Sequence, residues 1–150
     1  MKKLIAGILL AGTIMSLPVR SEAHERQCPS PINLTEEEAQ ELMQIAWTEA
    51  GNQGASGQAF VMSVILNRVA SPDWPDSIHD VIYERGQFAT RAMSKAQPTW
   101  ETHYALAEIE AGNIYPNIIG FERVNSIVLD EYFAEEFTYK DHKFYVQKSN

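Results

Sequence analysis

Residues 58–70 read QAFVMSVILNRVA, and apolar side chains occupy nearly every angle of a helix wound from this stretch. A helix that is apolar all round lies inside a domain, with other elements packed round it. The stretch therefore predicts a buried central helix from Gln58 to Ala70. Asn67 and Arg68, near its end, are expected to bond main-chain carbonyls or an acidic residue rather than substrate.

Two further helices carry clear start signals. A capping box, Thr35-x-x-Glu38, begins a helix that runs to Gly51, with three acidic residues facing the positive end of the helix dipole. Ser77-x-x-Asp80 caps a short helix in the same way. Both caps satisfy main-chain N–H groups that a helix cannot satisfy itself. We expect these helices to pack against the central one.

The remaining chain predicts a fourth helix and a few strands. The fourth helix spans about Thr99–Ala111 and is closed by Gly112, and the segment Gly51–Gly57, with three glycines, should be a tight loop. The segments Ile114–Phe121 and Lys143–Val146 are rich in β-branched and aromatic residues, as short strands are. The predicted fold is therefore α+β and mostly helical, with a central buried helix and a few short strands.

The first residues have the pattern of a secretory signal. A basic start, Met1-Lys2-Lys3, precedes an apolar run too short to span a bilayer, and Ser21-Glu22-Ala23 supplies the small residues of a cleavage site. We predict a signal peptide over residues 1–23, a flexible lead-in over 24–33 and one domain over 34–150. The protein is then exported, to the periplasm, the cell envelope or the medium.

Charge and cysteine content narrow the choice of partners. The net charge is −8, and removal of the signal peptide takes away three basic residues and one acidic residue, which makes it −10. Such a charge argues against nucleic acid or an anionic membrane as the main partner. We expect a monomer without stable membrane insertion after signal cleavage. Cys28 is the only cysteine, so no internal disulfide forms.

Glu49 is the residue most indicative of catalysis. The apolar stripe of its helix passes through Ala39, Leu42 and Ala46, and the next step of three reaches Glu49. A carboxylate on an apolar face is costly to ionise, and the negative end of the helix adds to that cost. An acidic residue near a helix end is usually a solvated surface charge. The stripe and the neighbouring glycines favour a general acid instead.

The motifs from Glu49 onward resemble those of a known family, the SleB-like cell-wall hydrolases, which include spore-cortex-lytic enzymes. The resemblance covers about Glu36 to Val146. Its motifs follow one another in the family's order: Glu49-Ala50, Gly57-Gln58, Val64 to Val69, Ser71-Pro72-x-Trp74-Pro75, Ile78-x-x-Val81-Ile82, Gln87-Phe88 and His142-x-Phe144-Tyr145. Each motif alone is weak, whereas their order and spacing together make a chance match improbable.

The resemblance implies a lysozyme-like fold and cleavage of peptidoglycan glycan strands between N-acetylmuramic acid and N-acetylglucosamine. It implies a lytic transglycosylase in which Glu49 acts first as general acid and then as base, without a cofactor. The candidate substrate-binding residues are Gln87, Phe88, His142 and Tyr145, because sugars bind through amide hydrogen bonds and aromatic faces. Core packing is an equally good reading of Phe88 and Tyr145.

One departure from the family bears on the mechanism. The family often has a Gly-Glu pair two residues beyond Glu-Ala, and this chain has Asn52-Gln53 there. The neutral Gln53 argues against a scheme with two carboxylates. Other acids, Glu84, Asp130 and Asp141, have no pattern that places them near Glu49.

Two other functions stay open at this stage. A non-catalytic peptidoglycan-binding domain would explain the neutral Gln53. An N-acetylmuramoyl-L-alanine amidase would need zinc, and the spacing of His79, His103 and His142 matches no compact ligand motif, so we expect no metal site.

Overall fold

A computed structural model describes residues 30–148 of the chain. The predicted signal peptide, Cys28 and most of the lead-in lie outside this range. The described part contains four α-helices, α1 (Glu36–Ala50), α2 (Gly54–Val69), α3 (Ile78–Tyr83) and α4 (Trp100–Glu110), and three strands, β1 (Ile118–Arg123), β2 (Phe133–Tyr139) and β3 (His142–Gln147). Two short 3-10 helices lie at Thr90–Lys95 and Leu129–Glu131.

Helix α2 is the centre of the domain, as the sequence predicts. It contacts α1, α3, α4 and β1. One apolar cluster fills the space among the helices, and a second joins Val64 of α2 to Ile118 and Phe144 of the sheet. The α+β architecture with a buried central helix is confirmed.

The junction between α1 and α2 differs from the prediction. The expected glycine-rich loop over Gly51–Gly57 is wrong, because α2 already begins at Gly54. The glycines permit close packing here: Gly54 has a φ of +75°, and a Cβ on Gly57 would lie 2.3 Å from the Cβ of Gln53. The two helices therefore meet at a short corner, and this corner lies one turn after Glu49.

The sheet contains one strand, β2, that was not predicted from the sequence. Its order is β1-β3-β2, and both pairings are antiparallel. The predicted strand at Ile114–Phe121 begins only at Ile118, after a turn in which Asn117 has a φ of 64°. The central strand β3 starts at His142, opposite Arg123 of β1 and Tyr139 of β2. The sheet thus brings the end of β1 beside the start of β3.

The domain begins slightly earlier than predicted. The Ile32 N–H donates to the Glu110 carbonyl at 2.9 Å, and Ile32 and Leu34 pack against the helical core. The described end of the predicted lead-in is therefore part of the domain. Among residues 30–148, no helix has the length and apolar character needed to cross a membrane.

Candidate active site

Glu49 lies in the last turn of α1, half-buried at the edge of the apolar face. Its neighbours Ala46 and Ala50 are completely buried. The main-chain N–H of Ala89 donates to Glu49 Oε1 at 2.6 Å. Burial raises the pKa of Glu49, and the Ala89 hydrogen bond lowers it by a smaller amount. The carboxyl group therefore keeps its proton to a higher pH than an exposed glutamic acid, as a general acid must.

Glu49 lines a polar cleft with a volume of about 280 Å³. The cleft lies between the α1–α2 corner, the end of β1 and the start of β3, and is lined by Glu49, Asn52, Gln53, Arg123, Val124, Asn125, Asp141 and His142. A larger groove of about 890 Å³ lies at the other end of α2. Its one acidic residue, Glu136, is exposed. Only the smaller of these two combines a half-buried acid with other convergent polar groups, so we take it as the candidate site.

The cleft contains a second carboxylate that the sequence analysis did not place. Asp141 lines the same cleft as Glu49. The side-chain amide of Gln53 donates to Asp141 Oδ2 at 3.1 Å and accepts the Asp141 N–H at 3.1 Å. No sequence pattern placed Asp141 near Glu49, and it is the fold that brings both residues to one cleft. Asp130 lies elsewhere, bonded to Tyr145 and Lys143.

His142 is brought to the cleft, as the sequence analysis proposed. It is only 7% exposed, and Phe121 and Phe144 present their rings to it. Within the described part of the chain, its buried Nδ1 has no hydrogen-bond partner. Burial lowers the pKa of His142, and the nearby Asp141 opposes this effect. The ring is consequently neutral at neutral pH and can both donate and accept a hydrogen bond.

Gln87 and Phe88 belong to the loop that holds Glu49 rather than to the lining of the cleft. Gln87 Oε1 accepts a hydrogen bond from the Arg68 guanidinium at 3.0 Å, and the Phe88 ring lies 5.3 Å from the same group. Phe88 also packs against the core. The next residue, Ala89, donates to Glu49. These two residues therefore adjoin the residue that binds Glu49, and the structure does not place them on the cleft surface.

Comparisons with known proteins identify the family. The family described as Cell Wall Hydrolase matches residues 52–145. The chain belongs to the cell wall hydrolase family. A search of curated proteins found no match. The family match begins three residues after Glu49, so the case for this residue rests on its geometry.

Two solved structures share the fold of this cell wall hydrolase. One is the catalytic domain of the germination-specific lytic transglycosylase SleB from Bacillus anthracis, with a TM-score of 0.64, 21% identity and coverage of 77% of this chain and 99% of that chain. The other is the catalytic domain of the Bacillus cereus SleB protein, with a TM-score of 0.61, 23% identity and coverage of 77% and 94%. The predicted fold class is thereby confirmed.

Tyr145 is a core residue of this cell wall hydrolase. Its side chain is completely buried, and its hydroxyl lies 2.6 Å from both Glu122 Oε1 and Asp130 Oδ1. The prediction that Tyr145 lines the glycan groove is wrong, because a side chain without exposed surface cannot contact substrate. Its hydroxyl instead joins two acidic side chains beneath the loop between β1 and β2.

Several lining residues of the site were missed at the sequence level. Arg123, Val124 and Asn125 reach the cleft because β1 ends there, and the Ala89 donor is a main-chain group. None of these four residues belongs to a sequence motif that would have marked it. The one available signal was the start of β3 at the predicted His142 motif, since its neighbouring strand must end close by.

Proposed function

We propose that this cell wall hydrolase cleaves the glycan strand of peptidoglycan between N-acetylmuramic acid and N-acetylglucosamine, as a lytic transglycosylase with Glu49 as the only general acid and base. The observation that carries the proposal is the Glu49 carboxyl, half-buried beside a polar cleft with its pKa raised by burial. The shared fold with the catalytic domain of a protein described as a lytic transglycosylase supports the same reaction.

In the first step, protonated Glu49 donates its proton to the glycosidic oxygen while the bond from that oxygen to the anomeric carbon breaks. The N-acetylglucosamine side leaves as an alcohol, and positive charge develops on the muramic acid ring. Glu49 becomes a carboxylate. The Ala89 N–H, 2.6 Å from Oε1, stabilises that anion and holds the group in place between the two steps.

In the second step, the Glu49 carboxylate removes the proton from the C6 hydroxyl of the same sugar. The freed oxygen attacks the anomeric carbon and closes a 1,6-anhydro ring. Glu49 recovers its proton, and no water is consumed. One carboxyl group with a raised pKa therefore serves both steps, whereas standard hydrolysis needs two carboxyl groups at a defined separation.

The polar side chains round the cleft would bind the glycan. Asn52, Asn125 and the neutral His142 offer donors and acceptors to hydroxyl and N-acetyl groups, and the Arg123 guanidinium offers further donors to carbonyl oxygens. A cell-wall substrate lies outside the cytoplasmic membrane, in agreement with a signal peptide over residues 1–23. We accordingly propose an exported, monomeric enzyme whose catalytic domain follows that peptide.

The proposal is tested with Glu49→Gln on purified peptidoglycan sacculi. Positioned acid–base catalysis contributes about 10²–10⁴-fold, so we expect muropeptide release to fall by at least two orders of magnitude. The matched control is Glu37→Gln, an exposed acid in the first turn of the same helix. Glu49→Gln activity close to that of the wild type would refute the assignment.

The products distinguish transglycosylation from hydrolysis. Digestion in H₂¹⁸O followed by mass spectrometry should give anhydro-muropeptides without ¹⁸O. The presence of Asp141 in the cleft favours hydrolysis as the second candidate, since a second carboxylate can activate water. Reducing-end muropeptides that carry ¹⁸O would establish hydrolysis and refute the anhydro mechanism.

A further inference from the structure

Gln53 is a buried polar residue with an unusually complete set of partners. It is 2% exposed. Its Nε2 donates to Asp141 Oδ2 at 3.1 Å and to Asn52 Oδ1 at 2.9 Å, and its Oε1 accepts the Asp141 N–H at 3.1 Å. Its main-chain carbonyl accepts a hydrogen bond from Lys140 Nζ at 2.7 Å. The corner between α1 and α2 is thus bound to the turn between β2 and β3.

The chemistry of both residues is dictated by this pairing. The Asp141 N–H is a donor, so the oxygen of the Gln53 amide must face it. The amide nitrogen must then face the side chain at position 141, which therefore has to be an acceptor. A carboxylate meets this demand whatever its rotation. A carboxylate at position 53 would instead bring two anionic oxygens together unless one of them were protonated.

The turn that Gln53 holds also fixes other residues of the cleft. The Asp141 carbonyl accepts the Val124 N–H at 3.0 Å, and His142 follows directly. Lys140 has a φ of 49°, a left-handed conformation that non-glycine residues rarely adopt, so the turn needs support from its surroundings. Because Gln53 follows Glu49 by one helical turn, the amide connects the candidate acid to the opposite side of the cleft.

We propose that Gln53 is a positioning residue: its amide clamps Asp141, and through the turn it holds His142 and Val124 in register with Glu49. This inference rests on the proposed function of the cleft. It explains why residue 53 is a neutral amide. This amide pairs with the Asp141 carboxylate, which comes from a distant part of the chain.

Three variants, together with Gln53→Glu alone, separate the clamp from the charge of Asp141. Gln53→Met removes both side-chain hydrogen bonds to Asp141, together with the one to Asn52, and keeps the Asp141 carboxylate. Asp141→Asn keeps a hydrogen-bonded pair and removes the charge. The exchange Gln53→Glu with Asp141→Asn restores one carboxylate and one amide in reversed positions. We measure kcat and KM on soluble glycan strands, together with the thermal stability of each variant.

We expect the kcat of Gln53→Met to fall by about 10²-fold, with a smaller change in KM. The reason is that small displacements of reacting groups reduce the rate by about this factor. Gln53→Glu alone should lose a similar amount at neutral pH. Adding Asp141→Asn to it should recover activity to within about tenfold of the wild type. The recovery is decisive even if Gln53→Met fails to fold.

Two results would overturn the clamp. One is wild-type kcat in Gln53→Met. The other is an exchanged double variant as inactive as Gln53→Glu, with Asp141→Asn equally inactive, because the charge of Asp141 would then be what matters. Glu49→Gln is assayed alongside. If it is inactive while the Gln53 variants are unaffected, the clamp fails and the proposed function stands; if it is active, the proposed function itself fails.

Discussion

Arg68 connects the core of the domain to the loop that binds Glu49, and its removal gives a quantitative test of the structure. The side chain is 6% exposed. Its Nε donates to the Ile119 carbonyl at 2.7 Å, and one terminal nitrogen donates to Gln87 Oε1 at 3.0 Å. The guanidinium carbon lies 3.9 Å from the centre of the Trp74 ring. Burial lowers the pKa of Arg68 to about 10, opposed by Glu84, so the group is still charged at neutral pH.

Arg68→Met keeps most of the aliphatic stem and removes the charged head. A hydrogen bond from a charged group contributes about 1.5–3 kcal/mol, and a cation–π contact about 0.5–2 kcal/mol. Gln87 is exposed, so its bond contributes little. We therefore expect the free energy of unfolding to fall by about 3 kcal/mol, out of the roughly 5–15 kcal/mol typical of a domain.

Urea denaturation measures this change, with an expected decrease of about 1–3 M in the midpoint. Arg85→Met is the matched control, because Arg85 is exposed and lies in the same loop region. The folded fraction of Arg68→Met should also be less active, since the loop that presents the Ala89 N–H loses its anchor. A loss below about 1 kcal/mol, equal to that of Arg85→Met, would refute the argument.

Three further predictions concern Glu49 and the α1–α2 corner. The raised pKa of Glu49 means that folding loses stability as pH rises from about 4.3 through the folded value, so Glu49→Gln should be at least as stable as the wild type at pH 7 and no more stable at pH 3.5. Thermal scans at both pH values check this. The kcat/KM profile of the wild type should decline on its alkaline side with a midpoint above about 4.3, because the acid must be protonated. Gly57→Ala should destabilise the fold, because the new Cβ would lie 2.3 Å from the Cβ of Gln53. Without such a contact, alanine in place of glycine stabilises a helix by about 0.5–1 kcal/mol. Denaturation measures the change, with Ser56→Ala at the exposed neighbouring position as the control.

The helices could be predicted because their signals are local. The capping boxes and the apolar spacing of the second helix act within a few residues, and the structure has the Thr35 cap as predicted. The glycines of the corner were misread because glycine permits two opposite things, a flexible loop and a close contact. Which one applies at Gly54 and Gly57 depends on what packs against them, and the sequence pattern does not contain that information.

The strand β2 was missed for a related reason. Phe133 and Phe137 are separated by Ala134 and by two acidic residues, Glu135 and Glu136, that are both exposed. Two adjacent acids interrupt the alternation that marks a half-buried strand. The register of β2 shifts between Glu135 and Phe137 against β3, so its pattern follows from the pairing with a distant strand rather than from its own residues.

The candidate site was predictable to the extent that it is built from local patterns. Glu49 follows from the apolar stripe of α1, whereas His142 was found through its resemblance to a motif of the family. The Ala89 donor was not predictable, because every residue except proline carries a main-chain N–H and only the tertiary fold selects one. Arg68 was expected to bond carbonyl groups or an acidic residue, and it donates to the Ile119 carbonyl.

Gln53 shows how a correct observation about sequence can support an incomplete conclusion about mechanism. Read alone, a neutral amide near Glu49 removes a possible second acid and favours chemistry with one carboxyl group. In the fold, the same amide binds Asp141 by two hydrogen bonds and so keeps a carboxylate in the cleft. The identity of residue 53 therefore cannot decide between anhydro-ring closure and attack by water. That decision depends on which oxygen reaches the anomeric carbon, and the structure and isotopic content of the products record it.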